Sequence, residues 1–318
     1  MRAAVIDGFG PAEVLRLAEV PRVQPIAAEV LIEVHAAGVN PIDVKTRAGR
    51  GVAAAIRTFP AILGADLAGV VASVPYAAHP LQPGDRVIGM LQVPRSSGSL
   101  AEYAAVPSMS LARAPRDLPL VEAAALPIAA LTAYGALHDA AGVQPGQRVL
   151  IHAGAGGVGH LAVQLAKLAG AEVIATASAA NQEFLLGLGA DRVIDYRTTR
   201  FEEASGLVDV VIDLIGNVHD DTGRRSLAVL APDGVIVNVP SGSWPGFAEE
   251  VAAAGRRGTQ YQISPDGRRL DRIARMVEHG ELRVHVDAVR PLERVAEAHE
   301  LVESGHVRGK VVVRIRED

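Results

Sequence analysis

The sequence has no cysteine among its 318 residues. Without thiols the protein holds no disulfide, iron–sulfur cluster, thiolate zinc site or catalytic cysteine. Concentrated positive charge is also missing, since the net charge is −5 and lysine and arginine form no cluster. Binding to nucleic acids or to anionic membrane surfaces, which needs a concentrated positive field, is therefore disfavoured.

Long apolar runs are equally absent. The opening segment MRAAVIDGFG reaches Asp7 and two glycines before any long apolar stretch, so no signal peptide is expected. The longest uncharged stretch, 149–166, contains four glycines and two histidines and is predicted to form a strand, a turn and a helix. We therefore expect a soluble protein of the cytoplasm.

The length of the chain suggests two domains. In the first third, short β-branched runs at 30–34, 69–74 and 86–88 are separated by turn signals such as the Gln-Pro-Gly-Asp cluster at 82–85. This pattern predicts a mostly antiparallel, partly open β-barrel.

From about residue 122 alanine-rich helical segments alternate with strands that are apolar on both faces, a pattern typical of a parallel sheet covered by helices on both sides. These apolar strands are predicted at 149–153, 173–177, 210–215 and 234–239.

The last part of the chain mixes two predicted helices, 268–278 and 292–303, with short strands. The strands are predicted around 284–286 and 289 and at 310–315. Too few to form a sheet alone, they are expected to complete the first sheet. The predicted α/β fold is thus a doubly wound parallel sheet (122–264) inserted into a β domain made of 1–121 and 265–318.

A glycine-rich turn is the strongest local signal. Gly154, Gly156 and Gly159 satisfy the pattern G-x-G-x-x-G between a predicted strand (149–152) and a predicted helix (158–168). In dinucleotide-binding proteins such glycines allow a tight turn and close approach to a pyrophosphate, which lies on the N–H groups of the helix N-terminus. Gly157 and Val158 belong to the same candidate site. The alternative is a glycine-rich turn that binds no ligand.

The end of the second parallel strand discriminates between the two nicotinamide cofactors. NAD enzymes carry an acidic residue there, whereas residues 175–181 contain no carboxylate. This absence favours NADPH, although the loop contains no lysine or arginine. The available hydrogen-bonding side chains are Ser178, Asn181 and, after the next strand, Tyr196 and Arg197.

With these features in place, the chain resembles the medium-chain dehydrogenase/reductase superfamily, in its zinc-free quinone oxidoreductase (zeta-crystallin-like) branch. The resemblance lies in the order of the segments GVNPIDVKTRAG, FPAILGADLAGVV, PGDRVIG, GSLAEYAAVP and EAAALPIAALTAYGAL and of the C-terminal PLERVAEAHELVESGHVRGKVVV. It implies a Rossmann domain inserted into a GroES-like barrel domain, and a homodimer joined through the edge of the inserted sheet.

The resemblance also implies that no metal is bound. Zinc-dependent relatives use a cysteine and a Gly-His-Glu segment as ligands, and this chain has Asn40 and Gly64-Ala65-Asp66 at the positions that resemble them. Of the ten histidines, His152 and His160 flank the glycine turn and the others are scattered. They are expected to be surface or capping residues.

The family resemblance places Asn40 and Asp43 in the cleft beside the nicotinamide. Asn40 is expected to donate a hydrogen bond to cofactor or substrate and Asp43 to orient its neighbours, although both could merely cap a loop. Many relatives have a tyrosine shortly after this segment, where this chain has Lys45, which could stabilise an enolate oxygen or be a solvated surface lysine. By similarity, the residues expected to contact the cofactor also include Thr132, Ile215, Val239, Tyr261 and Gln262.

These features together predict an NADPH-dependent, zinc-independent oxidoreductase that transfers hydride to a quinone or an α,β-unsaturated carbonyl compound. Without a metal ion, a conjugated acceptor is favoured, since the developing charge spreads over an enolate or hydroquinone anion. Two alternatives stay open at this point. One is reduction of an enoyl thioester or a biosynthetic intermediate, and the other is a non-catalytic NADPH-binding sensor or structural protein.

Overall fold

The computed structural model describes residues 1–92 and 98–317. The strands are β1 (Arg2–Ile6), β2 (Arg16–Glu19), β3 (Glu29–Val39), β4 (Ala61–Ile62), β5 (Asp66–Ser73), β6 (Arg86–Met90), β7 (Tyr103–Pro107), β8 (Leu111–Arg113), β9 (Arg148–Ile151), β10 (Glu172–Ala177), β11 (Arg192–Asp195), β12 (Val208–Asp213), β13 (Leu230–Asn238), β14 (Arg257–Gln260), β15 (Val286–Pro291) and β16 (Lys310–Arg314). The α-helices are α1 (Pro41–Arg47), α2 (Leu120–Ala123), α3 (Pro127–Tyr134), α4 (Gly159–Leu168), α5 (Gln182–Gly187), α6 (Phe201–Ala204), α7 (Thr222–Ser226), α8 (Phe247–Ala253), α9 (Gly267–Glu278) and α10 (Val295–Glu303).

The chain forms two compact units. The first consists of Met1–Leu131 and Ser264–Asp318, and the second of Thr132–Ile263. The second unit thus begins ten residues after the predicted boundary at 121/122, because α2 packs on β3, β5 and β16 of the first unit. Residues 93–97 and 318, which the predicted domains include, lie outside the described residues.

Two sheets that remain open in the described residues form the first unit. The small sheet has the order β2-β1-β4, and the large one has the order β15-β16-β3-β5-β6-β8 with β7 also paired to β3. The pairing is antiparallel except between β15 and β16. Because β16 pairs with β3, the C-terminal segment completes the N-terminal sheet, as predicted. The two short strands expected near 285 and 289 are instead one strand, β15.

The larger of the two apolar clusters described in the first unit is its main core. It takes side chains from both parts of the first unit, among them Ile32 and Leu67 from the N-terminal part and Leu292 and Val311 from the C-terminal part. Neither part can bury its apolar residues alone, which is the physical reason for the split domain.

The second unit is a parallel six-stranded sheet in the order β11-β10-β9-β12-β13-β14. Four of its strands, β9, β10, β12 and β13, are the predicted apolar runs, whereas β11 and β14 are not among those runs. The connecting helices supply the residues that cover the sheet. The strand order reverses between β9 and β12, where the chain crosses from one half of the sheet to the other. In such folds ligands bind at this switch point, outside the carboxyl ends of the strands. The predicted doubly wound sheet, inserted into an open β domain, is confirmed.

No helix in the described part of the chain is both long and apolar enough to cross a bilayer.

Candidate active site

The carboxyl ends of the six parallel strands hold most of the predicted cofactor-binding residues. The glycine turn follows β9, Ser178 follows β10, Tyr196 follows β11, Ile215 lies after β12, Val239 follows β13 and Tyr261 follows β14. A parallel sheet places these six ends along one edge, so residues that are far apart in the sequence share one surface. Thr132 lies elsewhere in the second unit, buried in the last turn of α3.

The glycine turn has no room for side chains. A Cβ atom on Gly159 would lie 2.2 Å from the carbonyl oxygen of Ala153, and one on Gly154 would lie 2.8 Å from the Cβ of Ala175. The backbone N–H groups of Gly157, Val158 and Gly159 have no acceptor among the described residues. A partly buried turn with free N–H groups at the start of α4 suits the pyrophosphate of a dinucleotide, so the residues present fit this cofactor.

His152, the last residue before this turn, is the centre of a closed hydrogen-bonded chain. Its Nδ1 lies 3.1 Å from Thr176 Oγ1 and its Nε2 lies 2.9 Å from Ser226 Oγ. Ser226 Oγ donates to the carbonyl oxygen of Thr222, and Thr176 Oγ1 accepts the N–H of Ala153. These partners assign the proton to Nε2 and leave Nδ1 as an acceptor. This chain of hydrogen bonds holds Ala153 in its left-handed conformation (φ 51°) at the start of the turn.

The two histidines beside the turn are not surface residues, so that part of the expectation is wrong. His152 and His160 are 1% and 0% exposed. Burial of His152 is tolerated because its neutral ring finds one donor and one acceptor. Desolvation by burial lowers the pKa of His152 to about 4, while nearby Asp213 opposes this shift.

Asp213 organises the ends of β12 and β13 and was not predicted as a functional residue. Its Oδ1 accepts the N–H groups of Ile215 (3.0 Å) and Gly216 (2.8 Å), and its Oδ2 accepts from Asn238 Nδ2 at 2.9 Å. The carboxylate is fully buried. It thereby fixes the backbone at Ile215, one of the predicted cofactor contacts.

The ends of β10 and β11 lie side by side. The N–H of Tyr196 donates to the carbonyl oxygen of Ala177 at 3.2 Å, and Asn181 Nδ2 donates to Ser178 Oγ at 3.3 Å. The guanidinium of Arg197 lies over the Tyr196 ring, 5.9 Å from its centroid.

Pairing of β10 with β11 also brings a carboxylate to this position, although residues 175–181 contain none. Asp195 is paired with Ala177, and its Oδ1 accepts the N–H of Arg197 at 3.0 Å. Arg197 is exposed and forms none of the ion pairs described in the structure, whereas nearby Lys167 and Arg200 pair with Asp191 and Glu202. Its guanidinium is therefore available to bind an anion at this end of the sheet.

Tyr261 packs against the helical segment Gly135–Ala141, which has a π-helical hydrogen-bond pattern. A Cβ on Gly135 would lie 1.7 Å from Tyr261 Oη, so only glycine lets the phenol approach. The N–H of Tyr261 donates to the carbonyl oxygen of Asn238 at 2.9 Å. Tyr261 is thus fixed by both backbone and ring, whereas Gln262 is exposed.

The first unit holds the predicted catalytic residues at the end of β3. Asn40 precedes α1, and its backbone N–H donates to Asp43 Oδ2 at 2.9 Å. This contact, in which a carboxylate caps the N-terminal residue, is half of a capping box. Burial raises the pKa of Asp43 to about 7, although the bond from Asn40 opposes the shift. Lys45 lies in α1, half-buried, and its pKa is lowered by burial and by nearby Arg50.

The side chain of Asn40 joins two charged residues that sequence reasoning did not assign to the site. Its Oδ1 accepts from Lys310 Nζ at 2.6 Å, and its Nδ2 donates to Asp66 Oδ2 at 2.8 Å. Lys310 Nζ also donates to the carbonyl oxygen of Val39 at 2.8 Å and lies 3.7 Å from Asp66 Oδ2. Asn40, Asp66 and Lys310 are 3%, 0% and 4% exposed. We call these three residues and Asp43 the Asn40 cluster.

Asp66 is the third anchor of the Asn40 cluster. Its Oδ1 accepts the N–H of Ile128 in the first turn of α3 at 2.8 Å, a position that favours negative charge. Burial raises its pKa to about 6, opposed by Lys310 and by the bond from Asn40. Asp66 and the backbone of Ala124 approach Gly38 so closely that only glycine fits there. A Cβ at this position would lie 2.5 Å from the carbonyl oxygen of Ala124 and 3.0 Å from Asp66 Oδ2.

In the part of the chain that the structure describes, no group of three or more His, Asp or Glu side chains is arranged to hold a metal ion.

Two known protein families match parts of this chain. The family described as "Alcohol dehydrogenase GroES-like domain" matches residues 27–116, and the one described as "Zinc-binding dehydrogenase" matches residues 188–313. A tomato (Solanum lycopersicum) protein, 2-methylene-furan-3-one reductase, is 35% identical over 98% of this chain and 79% of its own length.

Solved structures agree with this assignment. The quinone oxidoreductase from Coxiella burnetii has a TM-score of 0.94 at 40% identity and covers 99% of both chains. The quinone oxidoreductase of Escherichia coli in complex with NADPH has a TM-score of 0.87 at 27% identity, covering 99% of this chain and 100% of its own.

The closed chain at His152 predicts a specific loss of stability in acid. Because its pKa is about 4 in the folded protein and 6.5 in the reference state, the unfolded chain binds a proton that the folded chain does not between these values. Stability therefore falls as the pH decreases through this window. His152 alone contributes a loss of about 2 kcal/mol in the free energy of unfolding between pH 7 and pH 5.

Urea unfolding of wild type and His152→Gln at both pH values measures this loss. The variant should lose about 2 kcal/mol less than wild type on acidification, while exposed His306→Gln should match wild type. Equal losses for wild type and His152→Gln would show that the ring is not buried in its neutral form.

Proposed function

The chain belongs to the medium-chain dehydrogenase/reductase superfamily, in its quinone oxidoreductase branch, and from that premise we propose that it reduces quinones or α,β-unsaturated carbonyl compounds with NADPH. The observation that carries the proposal is the glycine turn between β9 and α4, with its free N–H groups. The names of the similar tomato reductase and of the two similar quinone oxidoreductases support the acceptor class.

Cofactor binding uses the carboxyl edge of the parallel sheet. The N–H groups of Gly157, Val158 and Gly159 would hold the pyrophosphate, and Gly154 and Gly156 would let the turn approach it closely. Ser178, Asn181 and Tyr196 would hold the adenine ribose, and Arg197 would supply the positive charge for a 2′-phosphate. Ile215, Val239 and Tyr261 would hold the nicotinamide half, and Thr132 its ribose.

The chemistry takes place at a conjugated acceptor. When bound, NADPH supplies the hydride. The acceptor oxygen then gains negative charge, which donors aimed at it stabilise. We assign this donor role to Asn40, with Asp43 orienting it through the bond to its N–H. Lys45, whose pKa is lowered, is the nearby candidate for returning a proton.

The same proposal includes three features of the intact protein: catalysis without zinc, a location in the cytoplasm and a homodimer. Support for the dimer comes from β14, which forms the outer edge of the parallel sheet and exposes three of its four residues. An edge strand of this kind can pair with the same strand of a second copy.

An acceptor screen tests the function directly. Wild type should oxidise NADPH with at least one 1,4-quinone or enone, and the KM for NADPH should be about tenfold below that for NADH. Because the proposal needs no zinc, dialysis against a chelator should leave the rate unchanged. Tight NADPH binding without oxidation by any acceptor would favour a non-catalytic binding protein instead.

Substitution at the turn tests the cofactor site. Gly159→Ala places a Cβ 2.2 Å from the carbonyl oxygen of Ala153, so the turn must open and its N–H groups lose alignment. The Kd for NADPH, measured by fluorescence titration, should rise about tenfold or more. Gly187→Ala is the matched control, since nothing lies within 4 Å of a Cβ there. Unchanged affinity in Gly159→Ala would exclude this turn as the phosphate site.

Removing the charge of Arg197 tests the choice between NADPH and NADH. Arg197→Ser should raise the KM for NADPH about tenfold and leave that for NADH unchanged, because only NADPH has the 2′-phosphate. Arg200→Ser is the control on the same connection, where the guanidinium pairs with Glu202. A parallel change for both cofactors in Arg197→Ser would place the 2′-phosphate elsewhere.

A further inference from the structure

We propose that Lys310 is a positioning residue for the reduction, because its ammonium sets the direction in which the Asn40 amide donates. The inference rests on the proposed function, in which Asn40 is the hydrogen-bond donor. It concerns a residue from the opposite end of the chain, which reaches Asn40 only because β16 pairs with β3.

The chemistry of the partners fixes the amide. An asparagine side chain has an oxygen end and an NH₂ end of nearly equal size, and it can rotate to exchange them. Lys310 can only donate, so the end facing its Nζ at 2.6 Å must be the oxygen. An ionised Asp66 can only accept, so the end facing it at 2.8 Å must be the NH₂ group. With both partners in place, the reversed amide would face two unfavourable contacts.

In this orientation the two N–H groups of the Asn40 side chain differ in how strongly they are bound. The NH₂ group donates one hydrogen to Asp66 at 2.8 Å, and its second makes a contact of 3.4 Å with the carbonyl oxygen of Gly38. The longer contact is the weaker one, so the second N–H is the one for which a ligand oxygen can compete. The ammonium at Oδ1 also withdraws charge from the amide, which strengthens its N–H as a donor.

The geometry shows that Lys310 does more than neutralise Asp66. Its short contacts, 2.6 and 2.8 Å, go to the oxygens of Asn40 and Val39, whereas Asp66 lies 3.7 Å away. Asp66 already accepts from the N–H of Ile128 and from Asn40. The Lys310 ammonium therefore bonds mainly to the oxygens of Val39 and Asn40.

Two variants separate the orientation of the Asn40 amide from the charge balance of the Asn40 cluster. Lys310→Met removes the ammonium and lets the Asn40 amide rotate. The double variant Asn40→Asp with Asp66→Asn keeps the charge of the Asn40 cluster and its bonding pattern. In it Lys310 still donates to residue 40, the amide at 66 donates to the new carboxylate, and its oxygen accepts from Ile128. This variant has no side-chain N–H donor left at position 40.

The kinetic test compares kcat with NADPH affinity. Both variants should lose about tenfold or more in kcat for the acceptor that wild type reduces best. Their Kd for NADPH should stay within about threefold of wild type, because the glycine turn is untouched. Lys167→Met, which alters a surface ion pair with Asp191, is the matched control and should keep the wild-type kcat.

Full activity in the double variant would overturn the proposal even where Lys310→Met does not fold, since the reaction would then need no side-chain donor at position 40. Wild-type kcat in folded Lys310→Met would overturn it as well. NMR of the amide-labelled protein tests orientation without turnover. The Asn40 NH₂ hydrogens should exchange slowly in wild type and at least about tenfold faster in Lys310→Met. If wild type reduced no acceptor, the proposed function would fail, while this NMR comparison would still decide the role of Lys310.

Discussion

The contact between the Lys310 ammonium and the Asn40 amide joins segments that are 270 residues apart in the sequence. It closes the first unit, because β16 brings the lysine to the end of β3, where α1 begins. Asp66 extends the connection to β5 and to the first turn of α3. Two carboxyl groups, an amide and an ammonium are buried together there, and the cost of removing such groups from water is met only if each finds a partner.

In the second unit, buried neutral polar groups are likewise paired with one another. The chain from Ala153 through Thr176, His152 and Ser226 to Thr222 has a donor and an acceptor at every link. His299 shows the contrast, since both of its ring nitrogens lack partners among the described residues. Burial lowers the pKa of His299 to about 3, but nothing fixes the direction in which its ring donates. Closed networks therefore specify orientation, which burial alone does not.

The sequence was sufficient where the signal is local. The glycine turn, the apolar strands and the strand–helix alternation lie within short windows, and they predicted the parallel sheet and the residues along its edge. Asp195, Asp213 and Lys310 could not be found this way, because what brings each to the site is non-local: pairing of Asp195 with Ala177, the bond from Asn238 to Asp213, and the bond from Lys310 to Asn40. One signal for Lys310 was present: it is a single charge directly before the apolar run 311–313 of a buried strand. A buried charge at such a position needs a partner.

The two lysines considered for the site have opposite electrostatic surroundings. Burial lowers the pKa of Lys310, but Asp66 and Asp43 both raise it and favour the ammonium. Burial also lowers the pKa of Lys45, and there Arg50 lowers it further. These surroundings favour Lys310 as the fixed cation and support the proposed role of Lys45 in returning a proton, because a proton leaves more readily where a like charge is near. A single lysine could not serve both tasks, since a cation that orients Asn40 must keep its proton throughout the reaction.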